Sequence, residues 1–183
     1  LGLVVLLLFL FLNARTAFWV AAGIPTAMLA AITVMYFAGI TINMISLFAL
    51  IITLGIVVDD AIVVGEHADH RARMGLEPYE AAESAAKRMA LPVFAATLTT
   101  IIAFFGLVVI GGRFGDLIAD IPFTVVAVLA ASLVECFLIL PNHMAHSLKH
   151  VGNNYWYDWP SRIVNFAFEW FREKIFGPFT RLV

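Results

Sequence analysis

Gly55-Ile-Val-Val-Asp59-Asp60-Ala-Ile-Val-Val64 sets two adjacent carboxylates in the middle of an apolar run. From Thr16 to Val58 there is no Asp, Glu, Lys, Arg or His, and after the pair the next polar cluster opens only at Glu66. An acid there is costly. One Asp at the centre of a membrane helix costs about 2.5–3.5 kcal/mol on insertion scales. The default reading of such a group is a site that binds and releases a proton or cation. Neighbouring helix residues point about 100° apart, so Asp59 and Asp60 cannot both face lipid, and both are able to flank one interior seam. Two adjacent carboxylates out of water resist carrying two charges, so the pair is expected to titrate as a coupled unit. Gly55, one turn earlier, is expected to let another helix approach closely. The competing structural reading is that the acids only bond a neighbouring helix and hold the bundle together.

Composition agrees with a membrane protein. The chain has 183 residues, 62% of them hydrophobic and 13% charged, with a mean hydropathy of +0.96. A soluble domain of this size has far fewer apolar residues. The single cysteine, Cys136, lies in an apolar run and cannot form an internal disulfide. The sequence starts at Leu1 in mid-run, with no initiator Met and no signal-peptide pattern, and reads as part of a longer membrane protein.

The expected fold is all-α: a transmembrane helix bundle with a C-terminal interfacial amphipathic helix. Residues 1–12 are apolar but too short to span, since a span needs about 20 residues. The charge-free run of residues 16–58 divides at Phe37-Ala-Gly39-Ile-Thr-Ile-Asn43, giving helices at about 17–37 and 42–66. Pro25 sits inside the first and is tolerated there. Residues 67–90 read as a solvated connector. In it Arg71-Ala-Arg-Met-Gly75 ends a helix at a glycine cap, and Glu77-Pro78 opens a short one. The next spans are expected at 91–112, with Pro92 marking its start, and at 121–141, ending at Pro141; residues 113–120 read as a loop. Residues 142–183 form a tail. Tyr155, Trp156, Tyr157 and Trp159 suit a membrane interface. A helix at about 160–176 has one narrow polar stripe, as a helix lying in the membrane surface would.

Counting charge fixes the orientation. With these five segments, Arg15, Arg71, Arg73, Lys87, Arg88, Lys149, Arg162, Arg172, Lys174 and Arg181 fall on one side, and Arg113 alone falls on the other. The basic side is therefore cytoplasmic. Glu135 is a third acid within a span, at a depth comparable to the Asp pair, and is a candidate accessory group. His67 with His70, and His143 with His146, are His-x-x-His pairs at helical spacing. All four lie at or beyond the cytoplasmic boundary, where a wetted histidine needs no metal, and no metal site is assigned. There is no phosphate-binding glycine loop, no nucleophile elbow and no basic nucleic-acid surface, so neither an enzyme nor a nucleic-acid partner is expected.

The Gly55–Val64 stretch with Glu66 after it resembles the fourth transmembrane helix of the resistance–nodulation–division (RND) efflux pumps, most closely the multidrug branch of the inner-membrane permease. Asn43-Met-Ile-Ser-Leu resembles the start of that helix. Gly75-Leu-Glu-Pro-Tyr-Glu-Ala-Ala resembles the family's cytoplasmic connector, and the helix near 160–176 resembles one that follows its sixth span. By this match the five segments correspond to spans two to six. Gly65 stands where the multidrug branch usually has Val, Glu66-His67 replaces Glu-Asn, and Glu135 is not typical of the best-known members.

The resemblance implies a homotrimeric, multi-pass protein of the bacterial inner membrane that exports hydrophobic or amphiphilic compounds in exchange for protons. It implies a periplasmic adaptor and an outer-membrane channel as partners, and no cofactor beyond the coupling proton. Asp59 and Asp60 would be the proton-binding pair, facing a lysine and other polar groups from the second half of the same chain, outside this stretch. The alternatives are an RND relative that handles metal or lipid, and an intramembrane aspartyl protease. The protease needs two acids facing each other across a peptide, which adjacent Asp59 and Asp60 do not supply.

Overall fold

In the computed structural model, residues 2–12, 14–149 and 174 are described. The expected interfacial helix at about 160–176 and the aromatic cluster before it lie outside them. Among the described residues there are helices and no strands. They are α1 (Gly2–Phe11), α2 (Ala14–Phe37), α3 (Met44–Arg73), α4 (Pro78–Phe105) with a 3₁₀ turn at Gly106–Val109, α5 (Gly112–Ile118), α6 (Asp120–Val134), a π turn at Glu135–Ile139, and α7 (Leu140–Leu148). Four stretches are long and apolar enough to cross a membrane: Ala14–Phe37, Met44–Arg73, Pro78–Val109 and Gly112–Leu148.

The start of α3 is built by its own sequence. Asn43 is extended, and its Oδ1 accepts from the Ile45 and Ser46 amides at 2.8 and 3.0 Å. The Ser46 hydroxyl accepts from the Asn43 amide at 2.8 Å, which closes a capping box. Asn43 Nδ2 also donates to Asp120 Oδ2 at 2.7 Å, tying the start of α3 to the start of α6. An acid in the first turn of α6 also meets the positive end of that helix.

Two helices stop at glycine. After α2 the Gly39 amide donates to Tyr36 O and the Ile40 amide to Met35 O. After α3 the Gly75 amide donates to Ala72 O and the Leu76 amide to Arg71 O. Both are Schellman caps. They need the positive φ that Gly39 (72°) and Gly75 (95°) adopt without a Cβ penalty.

Three expected boundaries differ from the structure. First, Pro92 does not start a helix: α4 runs unbroken from Pro78, with Pro92 inside it. Pro78, in the first turn, takes the initiating role. Ala81, Ala82 and Ala85 follow; alanine favours helix, and all three are buried in the same core cluster as Leu140, Met144 and Leu148 of α7. Second, residues 113–120 are mostly helical rather than a loop. Third, Pro141 does not end the last span. The Leu140 amide donates to Glu135 O, a five-residue step, and the next residue is Pro141, which has no amide hydrogen to give. The widened turn precedes the missing donor, and the chain continues as α7 to Leu148.

The helices pack through small residues. α2 buries Ala17, Gly23, Ala27 and Ala31, and Gly65 of α3 lies under Val20. Small interfacial residues let membrane helices approach closely. A Cβ on Gly65 would sit 2.7 Å from Val20 Cγ2. Replacing Asn43 by Ala is expected to cost about 1–2 kcal/mol, read as a lower thermal midpoint in detergent. Asn43→Ser should restore part of it by keeping the cap while losing the Asp120 bond. An unchanged midpoint for Asn43→Ala would show that the cap does not hold α3 in place.

Candidate functional site

The site is organised by the inward face of α3. Ala49, Leu50, Thr53, Val57, Asp60, Ala61, Val64 and Ala68 recur at helical spacing and are buried. Asp60 is therefore carried into the bundle by the register of its apolar neighbours, and is only 9% exposed. Asp59 points about 100° away. It is exposed, on a strip with Gly55 and Val63 that the described residues leave open. The two carboxylates thus do not share one interior seam within this chain. No atom lies within 4 Å of where a Cβ on Gly55 would be, so the close approach expected at that glycine is not made by the described helices.

Glu135 is the second buried acid, 4% exposed, at the first position of the π turn. Its carboxyl group lies over the backbone of α2 at Gly23, where an added Cβ would come 2.7 Å from the Glu135 carboxyl carbon. Any larger residue at position 23 would compete with the acid for that space. Cys136 beside it is fully buried, in the core cluster that also holds Ala61 and Val64 of α3. Ala61, next to Asp60, and Cys136, next to Glu135, thus belong to one part of the core.

Polar capacity in this region is unspent. Among the described residues, Asp60 Oδ2 has no hydrogen-bond partner, and neither has the buried hydroxyl of Ser132, three residues before Glu135. A buried acceptor without a donor is costly, so the region suits water, a proton or a further polar group. Among the described residues, no three His, Cys, Asp or Glu side chains gather as a metal site would need. His143 instead stacks on Trp19, with ring centroids 4.1 Å apart and planes 6° from parallel.

Gly23 was not singled out by sequence reasoning. The signal was present in the small-residue face of α2, but what it faces is decided by packing. A multi-pass helical membrane protein with carboxylates turned into its core is the class that this fold and site define. The chain belongs to the AcrB/AcrD/AcrF family, whose model matches residues 1–178, and so to the RND permeases. It is 32% identical over 149 residues to multidrug resistance protein MdtC of Photorhabdus laumondii, covering 81% of this chain and 14% of that protein. It is 36% identical over 150 residues to swarming motility protein SwrC of Bacillus subtilis, covering 80% and 14%. With MdtC of Serratia proteamaculans the identity is 31% over 150 residues, covering 81% and 15%. The chain thus spans about a seventh of the length of the curated relatives it matches.

Gly23→Val is expected to destabilise by about 1–3 kcal/mol through overpacking against Glu135. Glu135→Ala in the same protein should recover most of that loss. A double-mutant cycle with no coupling between positions 23 and 135 would contradict the contact.

Proposed function

We propose that this chain is the proton-translocating part of a secondary active transporter that exports hydrophobic or amphiphilic compounds in exchange for protons. The carrying observation is Asp60, a carboxylate buried on a membrane-length helix with an unpartnered oxygen. Asp59 beside it is open to whatever packs on the outer strip of α3. A group that must gain and lose a proton gains nothing from a permanent partner. It needs one that protonation can displace.

In this reading Asp59 and Asp60 take protons from the periplasmic side. Protonation breaks their pairing with a cation from the second half of the protein, the helices shift, and release to the cytoplasm resets the pair. The proton drives the shift only through different affinities in the two states. Glu135 is an accessory acid that accepts a proton in the same region. The multidrug names of the MdtC relatives support an exported, drug-like substrate. We place the protein in the bacterial inner membrane as a homotrimer working with a periplasmic adaptor and an outer-membrane channel. No cofactor other than the proton takes part, and the chain carries no enzymatic activity.

Asp59→Asn and Asp60→Asn, made singly in the intact protein and present at normal amounts in the membrane, are expected to reduce energised dye efflux to background. Glu135→Gln should lower efflux only partly and alter its pH dependence. Normal efflux in both Asp variants would overturn the relay.

A further inference from the structure

Arg71 near the C-terminal end of α3 and Arg88 within α4 carry charges that no described side chain pairs. His67 and Arg71 lie one turn apart on α3, and both are half-buried. Among the described residues, neither His67 Nε2 nor Arg71 Nε has a hydrogen-bond partner. The stretch of α3 that carries them lies against α4: Ala68 and Ala72 pack in one core cluster with Ala81, Ala85 and Met89, the last next to Arg88. Glu66, next to His67, is exposed, and two other nearby acids are engaged. Asp69 is held by Arg73 at 2.7 Å and Glu83 by Lys87 at 2.6 Å. Glu80 shares a surface hollow with Arg88, but lies two turns from it, roughly 12 Å along the helix. Among the described residues, Arg71 and Arg88 have no ion pair. Like charges on adjoining helix faces repel one another, and an anion between them removes that cost.

An apolar track starts immediately above the cluster. Arg88, Leu91, Ala95, Leu98 and Ile102 recur every three or four residues on one face of α4, and all are exposed. Leu91 is 77% and Ile102 65% exposed. The membrane-length stretch containing α4 is the least covered of the four. Arg88 to Leu98 is ten residues, roughly 15 Å of helix, which is one leaflet of a hydrocarbon core about 30 Å thick. A basic head region continuous with an apolar track one leaflet long has the shape of a phospholipid, and basic pockets between membrane helices on the cytoplasmic side take anionic headgroups.

We infer that the C-terminal end of α3 and the adjoining part of α4 from Arg88 onward form a binding site for an anionic phospholipid. Its phosphate sits on Arg71, Arg88 and His67, and an acyl chain lies along Leu91, Ala95, Leu98 and Ile102. This site is separate from the acids of the core and does not depend on their role.

The test is a titration of the delipidated intact protein by native mass spectrometry, with phosphatidylglycerol, phosphatidylcholine and inorganic phosphate as three separate probes. Phosphatidylglycerol is expected to bind more tightly than phosphatidylcholine. Arg71→Gln and Arg88→Gln should each weaken phosphatidylglycerol about fivefold, leave phosphatidylcholine unchanged, and be restored by Lys at the same position. Arg113→Gln, outside the cluster, should change nothing. Equal phosphatidylglycerol affinity in both Gln variants would overturn the proposal. Inorganic phosphate binding as tightly as the lipid, or displacing it, would also overturn it, because the site would then be one for a free anion. A second measurement uses the unmodified protein in case the variants fold poorly. Its thermal midpoint should rise in phosphatidylglycerol-containing vesicles over phosphatidylcholine alone, and high salt should abolish the rise. No rise would count against the site.

Discussion

A carboxylate in a hydrocarbon surrounding has to be turned away from lipid, and the packing of α3 follows from that constraint. The inward stripe of α3 carries Asp60 between Val57 and Val64, and those neighbours are buried because α2 and α6 present surfaces that fit closely. Small residues make the fit: Ala17, Gly23, Ala27 and Ala31 on α2, and Ala61, Gly65 and Ala68 on α3. Helix association in a membrane depends on close packing rather than on a hydrophobic drive. The space that small residues leave is then filled by specific groups, Val20 over Gly65 and the Glu135 carboxyl over Gly23.

The π turn at Glu135–Ile139 belongs to the same design. Helices tolerate a proline when the bond it removes is absorbed nearby, and a widened turn directly before Pro141 does so. The wide turn starts at Glu135, the residue whose acid is buried against α2. Beyond it α7 returns to ordinary geometry, and His143 reaches Trp19 of α2. One irregular turn thus separates two contacts with the same helix, one polar at Gly23 and one aromatic at Trp19. Single π turns recur at functional sites in proteins, and this one holds an ionisable group in the core.

The coverage of the helices is uneven. Asp60 and Glu135 are enclosed by the bundle, while α4 leaves most of its apolar length open and α3 leaves the strip of Gly55, Asp59 and Val63 open. Such surfaces are ordinary in a protein that spans a small part of its relatives' length, because lipid and further helices both compete for them. Charge distinguishes the two surfaces. The strip on α3 carries an acid and suits a cationic group, whereas the open face of α4 begins at Arg88 and suits an anion.

The amino-acid sequence alone determined that the protein is an all-helical membrane bundle. Spans of apolar residues, the break at Gly39–Asn43 and the glycine cap at Gly75 are local signals, each read from a few adjacent residues. The pairing of acids in an uncharged run was equally legible. What tertiary structure decided was which way each acid turns: Asp60 into the core, Asp59 out of it, and Glu135 onto Gly23. Pro92 and Pro141 were read as boundaries because a proline breaks an isolated helix. In the folded chain, packed alanines carry α4 past one and a π turn carries the last span past the other. Those outcomes depend on residues far apart in the sequence lying on one another's faces, and no window of neighbouring residues contains that information.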